Sequence, residues 1–264
     1  MCEVLVNDVY INVIDQLNEL GVHIIVFPEL AMNKKTEKAI TQYLIDKKLN
    51  GNSHIQLVFL GSLWEDRVNM CMLLSGSGTV LLKNNKKMPF EYKNPEDGLF
   101  YTESLKSRPE KYSLLDVNGL GRLLYLVCKD GLDDIAQITL WNEYGVNMEI
   151  ISAFTPSILY FENQSEKFNK DYLGIDLLTN CCNPRLQICN DNSIDIGYIS
   201  VPVMNVERRR VVSNRIYFSS DEKCNNCDRF CNCAHIFTLN PNKLIKDTRF
   251  HGMEVEKLDK IKRY

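Results

Sequence analysis

Residues 121–134, GRLLYLVCKDGLDD, place a cysteine at the end of a continuous apolar run. The run from Leu123 to Cys128 has the length and composition of a buried strand. Lys129 and Asp130 follow the thiol directly, and a glycine then begins a new segment. A cysteine in this position is either a small core residue or a reactive thiol whose ionisation is controlled by its charged neighbours.

The composition is that of an ordinary globular protein. Of 264 residues, 45% are hydrophobic and 25% are charged, and the formal net charge is −3. This charge gives no indication of a nucleic-acid partner. No apolar run reaches the roughly 18 residues of a membrane span, and the start of the sequence lacks the pattern of a signal peptide. We therefore expect a cytoplasmic protein whose ten cysteines are reduced.

Apolar strands alternate with helices along the chain. A helical pattern ends at Gly21, and the β-branched run VHIIVF follows it up to Pro28. A second amphipathic helix, the strand IQLVFL and a strand pair joined by a Ser-Gly turn come next, and helix LDDIAQITLWNEYG and strand NMEIISAF follow Cys128. Continuous apolar strands that alternate with helices predict an α/β protein whose sheets are covered by helices.

Chemically active side chains follow several of the predicted strands. Glu29 comes just after the first one, in VFPEL, and Glu91 follows the strand pair, in KNNKKMPFE. The same segment holds three lysines: Lys83, Lys86 and Lys87. Each of these residues alone is typical of a solvated turn. Because reactive groups of α/β proteins collect at the carboxyl ends of strands, the set predicts a site that joins a carboxylate, an ammonium and the Cys128 thiol.

A thiol that attacks an amide needs a base. None of the four histidines lies near Cys128 in the sequence or at a strand end: His23, His54, His235 and His251. Glu29 is the better candidate, because burial beside Phe27 and Leu30 would raise its pKa towards that of a useful proton acceptor. A lysine would then stabilise the developing oxyanion, and water would release the thioester.

These motifs resemble the nitrilase, or carbon–nitrogen hydrolase, superfamily from about residue 8 to residue 205. VFPEL, GTVLLKNNKK and LVCKD match the glutamate, lysine and cysteine of its triad, and Asn69 and Asn180 match weaker motifs. The resemblance implies a four-layer αββα sandwich. It also implies an amidase-like hydrolase that acts on a small-molecule, non-peptide amide through a cysteine thioester, with no required cofactor.

The resemblance leaves the catalytic lysine open. Alignment on Gly78 selects Lys86, and counting back from the glutamate of PFE selects Lys83. We take Lys86. Glu91 then corresponds to the second glutamate of the family, which positions the lysine and the substrate.

The start of the chain departs from the family pattern. Members begin with a strand before the first helix, whereas this sequence begins almost inside that helix, so we expect residues 1–264 to form a single nitrilase-like domain whose first strand is short or missing. Other domains of a longer protein would then be fused to it or complete it. The alternative function is a catalytically inactive binding or scaffolding module of a larger, defence-related multidomain protein.

Residues 215–264 form a cysteine-rich C-terminal extension of the same domain. Their C-x-x-C spacing gives a candidate structural zinc site. Its ligands would be Cys224, Cys227, Cys231 and Cys233. The alternative is a loop of reduced cysteines, since the four thiols are closely spaced. The short basic run ERRRVVSNR is interpreted as a solvated loop, and a nucleic-acid partner is not expected.

Self-association is expected from the helix that follows the nucleophile. Its apolar residues spread around more of the helix than one core-facing stripe requires. Family members usually pair through this helix, so the resemblance implies a homodimer, or a higher oligomer, with Trp141 or Tyr144 near the interface.

Overall fold

The computed structural model describes residues 2–93, 97–106, 111–155, 157–180, 195–205, 210–219, 236–238 and 256–258. Four α-helices lie in these ranges: α1 Cys2–Glu19, α2 Lys34–Leu49, α3 Asp134–Asn142 and α4 Leu159–Tyr172. A 3₁₀ helix spans Cys128–Leu132. Asn33 caps α2 by accepting the backbone N–H groups of Lys35 and Thr36, and Asp133 caps α3 by accepting that of Ala136.

The described strands form two main sheets and two short pairs. In chain order they are β1 Ile24–Val26, β2 Leu57–Glu65, β3 Val68–Ser75, β4 Val80–Asn85, β5 Glu91–Lys93, β6 Phe100–Thr102, β7 Leu114–Val117, β8 Gly121–Val127, β9 Met148–Ala153, β10 Ile175–Asn180, β11 Asp195–Asn205, β12 Arg210–Ser219, β13 Ile236–Thr238 and β14 Glu256–Leu258. The first sheet has the order β1-β2-β3-β4, and the second has the order β12-β11-β10-β9-β8-β7. β5 pairs with β6, and β13 pairs with β14.

Parallel strands supply the ends at which Glu29 and Cys128 emerge. β1 runs parallel to β2 in the first sheet, and β8, β9 and β10 run parallel in the second. The other pairs in the two sheets are antiparallel. β8 ends one residue earlier than the apolar run suggests, so that Cys128 begins the 3₁₀ helix.

The two sheets pack face to face, and helices cover their outer faces. Between the sheets, the rings of Phe59 and Tyr125 meet edge to face at 4.9 Å, and the Tyr125 hydroxyl donates to the Gly61 carbonyl at 3.0 Å. Ile14 of α1 and Ile40 of α2 are buried in a second cluster on the outer side of the first sheet. α3 and α4 pack on the second sheet. This arrangement confirms the predicted αββα sandwich.

Trp141, one of the two residues predicted near a dimer interface, is a core residue within the chain. Its ring is 3% exposed and stacks on Phe168 of α4 with the centroids 4.7 Å apart. Leu140 of α3 is buried as well, whereas Ile135 and Ile138 of the same helix are exposed. Tyr144, the other predicted interface residue, is 52% exposed.

Two departures from the family pattern are expected from the sequence, a short or missing first strand and a cysteine-rich C-terminal extension. Residues 2–19 are helical, so no short strand precedes α1 in the described part of the chain. Of residues 215–264, the structure describes the end of β12 and the pair β13 and β14. The four candidate zinc ligands lie outside the described residues.

Candidate active site

Glu29, Lys86 and Cys128 meet between the two sheets, although 57 residues separate the first two. Their side chains are almost completely buried, with 3%, 2% and 2% exposure. The Lys86 ammonium lies 2.8 Å from Glu29 Oε1, and burial together with the charge of the same carboxylate raises the pKa of the Cys128 thiol beside it. The three residues that the sequence selected therefore form one contiguous cluster.

A close approach of two backbone segments positions Glu29. Gly61 has a φ of 72°, and a Cβ there would lie 2.0 Å from the Pro28 carbonyl oxygen, so only glycine lets β2 pass this near. The Glu29 N–H donates to the Ala153 carbonyl at 3.3 Å, which joins the segment after β1 to the end of β9. The carboxylate consequently faces the second sheet.

Cys128 has a left-handed backbone. Its φ is 46°, which is uncommon for a residue with a side chain and persists only where the surroundings enforce it. The sharp turn from β8 into the 3₁₀ helix directs the thiol towards Glu29. The backbone of Phe154, just after β9, acts to lower the pKa of the thiol and so favours its ionised form. A donor therefore lies where negative charge would develop.

The loop after β4 holds Lys86. Its N–H donates to the Asn69 carbonyl of β3 at 2.7 Å. The next two backbone N–H groups, those of Lys87 and Met88, donate to the Asp130 carboxylate at 3.0 and 2.7 Å. Asp130 lies two residues after Cys128 and is buried, so it joins the lysine loop to the nucleophile segment.

Glu103 occupies the place beside Lys86 that the sequence assigned to Glu91. Its carboxylate lies 2.8 Å from the Lys86 ammonium and also accepts the Phe90 N–H at 2.9 Å. Glu91 instead is 59% exposed at its side chain and pairs with Lys129 at 3.2 Å. The short hairpin of β5 and β6 turns Glu91 outwards and returns the chain so that Glu103 points inwards.

The two lysines that the sequence left open differ in burial. Lys83 is exposed on β4, whereas Lys86 is buried in the cluster.

The two asparagines of the weaker motifs both make hydrogen bonds at or near the site. Asn69 donates through Nδ2 to Glu29 Oε1 at 2.9 Å and to Glu103 Oε1 at 3.1 Å. Asn180 brackets Thr155 with two 2.9 Å hydrogen bonds, beside the Phe154 donor.

Burial and the neighbouring charges set the ionisation of the cluster. Burial raises the pKa of Glu29 above its ordinary value, against the opposing effects of Lys86, Cys128 and Asn69. Burial, together with the Glu29 charge, raises the pKa of the Cys128 thiol to about 12. Burial acts to lower the pKa of Lys86, but the Glu29 carboxylate and the other acidic groups raise it overall. At pH 7 the thiol is therefore neutral and Lys86 keeps its proton, while Lys86, Cys128 and Asn69 favour the carboxylate form of Glu29 against the effect of burial.

Neither a metal-binding group of side chains nor a membrane-spanning helix is found in the part of the chain that the structure describes. No group of three or more His, Cys, Asp or Glu side chains is arranged there to hold a metal ion. None of the helices in those ranges combines the length and the apolar character that a membrane span requires.

Comparisons with known proteins extend these observations. No protein-family model matches the chain, and no curated protein sequence matches it. Solved structures do match. Nit3 of Saccharomyces cerevisiae, a member of branch 10 of the nitrilase superfamily, is 13% identical with a TM-score of 0.54, over 81% of this chain and 83% of Nit3.

Two other structures are similar to the chain. A double mutant of the amidase from Nesterenkonia sp. AN1, in complex with acrylamide, is 12% identical with a TM-score of 0.53, over 84% of this chain and 87% of the amidase. The NitFhit protein of C. elegans is 18% identical with a TM-score of 0.48, over 66% of this chain. The chain spans 46%, or less than half, of that protein.

Proposed function

Because this chain has the nitrilase fold, we propose that it hydrolyses the C–N bond of a small, non-peptide amide through a thioester on Cys128. The observation that supports this proposal best is the buried ion pair of the Glu29 carboxylate with the Lys86 ammonium, next to the buried Cys128 thiol whose pKa that carboxylate raises. A nucleophile, a base and an electrostatic stabiliser are the parts that acyl transfer to a thiol requires.

Acylation begins with proton transfer. Glu29 accepts the thiol proton while Cys128 Sγ attacks the carbonyl carbon of the amide. The carbonyl oxygen becomes an oxyanion, which the Lys86 ammonium and the backbone N–H of Phe154 stabilise. The C–N bond then breaks, the leaving amine takes the proton from Glu29, and the acyl group remains on sulfur as a thioester.

Deacylation uses the same carboxylate. Glu29 accepts a proton from water, whose oxygen attacks the thioester carbonyl. The C–S bond breaks and the sulfur recovers a proton from Glu29, which regenerates the thiol. The sum is amide plus water giving a carboxylic acid plus an amine, with no other reactant.

The raised pKa of Cys128 decides how the thiol is activated. With a pKa of about 12, the thiol is neutral at pH 7, so the site does not use a preformed thiolate. The proton must therefore leave during the attack, and the adjacent carboxylate is placed to take it. Lys86 is unsuited to that role because its pKa is raised and it stays protonated.

A non-catalytic binding module is the rival function. Burying two carboxylates, an ammonium and a thiol together carries a desolvation cost, and apolar residues of similar volume would serve a scaffold at least as well. The cluster is therefore better explained by chemistry than by architecture.

Release of ammonia tests the proposed function. Purified protein is incubated with a panel of short aliphatic and aromatic primary amides, with Cys128→Ala as the control and a peptide as the negative substrate. Ammonia release from at least one amide by the parent protein, and none by the variant, is expected. Nitriles serve as a further comparison, and equal release by parent and variant would contradict the proposal.

We also propose that the protein is a homodimer. Three large apolar side chains near α3 and the start of α4 are strongly exposed: Ile135 at 82%, Leu159 at 58% and Tyr160 at 69%. An isologous contact would bury these three side chains in both copies of the chain. Light scattering at micromolar concentration tests this, and a mass near that of one chain would contradict it.

The zinc site and the location remain proposals. If Cys224, Cys227, Cys231 and Cys233 hold zinc, metal analysis should find about one ion per chain, and a chelator should lower the melting temperature. A cytoplasmic location agrees with the free thiols of Cys71 and Cys128.

A further inference from the structure

Asn69 contacts three groups of the candidate active site at once. It is 1% exposed on β3, and its Nδ2 donates to Glu29 Oε1 at 2.9 Å and to Glu103 Oε1 at 3.1 Å. Its backbone carbonyl accepts the Lys86 N–H at 2.7 Å. No other side-chain amide in the described part of the chain joins both glutamates of the cluster.

These contacts close a ring. Lys86 Nζ lies 2.8 Å from Glu29 Oε1 and 2.8 Å from Glu103 Oε2. The ring therefore runs from Asn69 to Glu29, then to Lys86, to Glu103 and back to Asn69. Each carboxylate has one charged and one neutral donor: both bind Oε1 of Glu29, whereas they bind different oxygens of Glu103. Glu29 therefore cannot turn away without losing a hydrogen bond.

The neutrality of the amide matters as much as its geometry. An NH₂ group supplies two N–H donors without a charge. A second cation in this place would strongly favour the ionised form of Glu29 and would weaken it as a proton acceptor. An apolar residue would leave Glu29 and Glu103 close together with Lys86 as their shared partner. An amide holds both carboxylates while leaving the base strength of Glu29 largely intact.

The side-chain oxygen of Asn69 supports a role beyond packing. This oxygen is buried and has no hydrogen-bond partner among the described residues. An unpaired buried acceptor costs free energy. This cost accompanies the two hydrogen bonds that the Nδ2 group of the same side chain donates to Glu29 and Glu103.

We propose that Asn69 is a positioning residue that fixes Glu29 against both Lys86 and the Cys128 thiol. This proposal rests on the proposed function, because it assigns Asn69 a task only if Glu29 serves as the base for Cys128. Asn69 touches no reacting atom in this role. It acts through the orientation of Glu29 and through the ionisation of that carboxylate.

Asn69→Ala removes both donors and gives the first test. The expected result is a fall in kcat of about 10-fold or more with little change in KM, since base catalysis contributes roughly 10²- to 10⁴-fold and only part of it is lost. The second readout is the alkylation rate of Cys128 by iodoacetamide between pH 4 and pH 9. Because the Asn69 hydrogen bond lowers the pKa of Glu29, its loss should move the acid limb of that rate to higher pH.

Asn84→Ala is the matched control. Asn84 is also a buried asparagine, but it bonds to the backbone of Ser113 and Tyr125 outside the ring. Its loss should lower the melting temperature without moving the acid limb. If Asn69→Ala does not fold, Asn69→Ser, which keeps one donor, is measured in the same way.

The outcomes separate the two proposals. A folded Asn69 variant with an unchanged acid limb and unchanged kcat would overturn the positioning role. Parent protein in which Cys128 reacts no faster than the buried Cys71 would instead overturn the proposed function. An acid limb that moves to higher pH in the Asn69 variant but not in the Asn84 variant supports both the positioning role and the proposed function.

Discussion

The carboxylate of Asp130 accepts the backbone N–H of Met88 at 2.7 Å, and this bond joins the two loops that carry the candidate lysine and cysteine. The N–H of Lys87 adds two longer bonds to the same carboxylate. Lys86 and Cys128 follow strands of different sheets, so their relative position depends on such a connection. Asp130 therefore acts on the chemistry through the backbone, two residues from the thiol.

Asp130→Asn should lower activity by about 10-fold at pH 7.5, because the new NH₂ group opposes one of the backbone donors and loosens the Lys86 loop. Burial raises the pKa of Asp130 to about 6, so protonation weakens these charge-assisted bonds in the parent as pH falls through about 6. The variant has no such group, and the gap between the two activities should narrow below pH 6. The pH–rate profiles of both proteins measure this. Asp133→Asn, which alters the cap of α3, is the control, and a constant gap at all pH values would refute the prediction.

The lysine is tested by a matched pair of substitutions. Lys86→Met removes the ammonium that faces the developing oxyanion, and loss of one such stabiliser costs about 10²- to 10³-fold in kcat. Lys83→Met alters an exposed residue of β4, three positions before Lys86, and should leave kcat within about twofold. Steady-state kinetics on the best amide compares the two. Equal damage by both, or damage by Lys83→Met alone, would remove Lys86 from the mechanism.

The second glutamate is tested in the same manner. Glu103→Gln keeps an acceptor for the Phe90 N–H but removes the charge beside Lys86, so kcat should fall by about 10-fold or more. Glu91→Gln breaks only an exposed ion pair with Lys129, which is worth about 1 kcal/mol or less. Activity of the Glu91 variant should stay near that of the parent. The reverse order of effects would restore Glu91 to the site.

A buried carboxyl pair makes stability depend on pH. Glu149 of β9 and Asp176 of β10 are direct partners across parallel strands and are almost completely buried. Burial and the Asp176 charge raise the pKa of Glu149, and burial raises that of Asp176 to about 6. Both values exceed those of the unfolded chain. The stability that Asp176 contributes is therefore fully present below about pH 4 and is lost as pH rises through about 6, and that of Glu149 is lost as pH rises towards its own raised pKa.

Glu149→Gln should reduce the loss of folding stability that accompanies rising pH. The glutamine keeps an acceptor for the Gln137 side chain, which bonds to Glu149 Oε1 at 3.1 Å, and carries no charge. The free energy of unfolding at pH 8 should rise by about 1 kcal/mol or more relative to the parent. Urea unfolding at pH 5 and at pH 8 measures the change. Glu143→Gln on the exposed end of α3 is the control, and an equal slope for Glu149→Gln and the parent would contradict the assignment.

Much of the fold could be predicted because its strands are continuous apolar runs. β8 and β9 are buried along most of their length, so their sequences differ sharply from the loops beside them. Glu29 and Cys128 stand directly after such runs. Their meeting follows from the rule that strand ends share one edge of a sheet.

Glu103 could not be found in that way. β5 and β6 have three residues each, and Phe100 and Tyr101 are exposed, so neither strand has a hydrophobic pattern. Which of two glutamates points inwards then depends on the path of the hairpin, which local sequence does not determine. The burial of Trp141 could not be predicted for a related reason: α3 has both buried and exposed apolar residues, and the sequence alone does not show which of them meet α4.

The most direct test of the account is the site and rate of alkylation by iodoacetamide in the native protein at pH 7.5, followed by intact mass and peptide mapping. Cys71 is the internal control, because it is equally buried but its thiol donates to the Tyr125 carbonyl of β8, away from a candidate base. The account predicts that Cys128 reacts well before Cys71 and that Glu29→Gln slows its reaction by about 10-fold or more, since the thiol depends on that base. Labelling of Cys128 no faster than Cys71, or a rate that Glu29→Gln leaves unchanged, would contradict it.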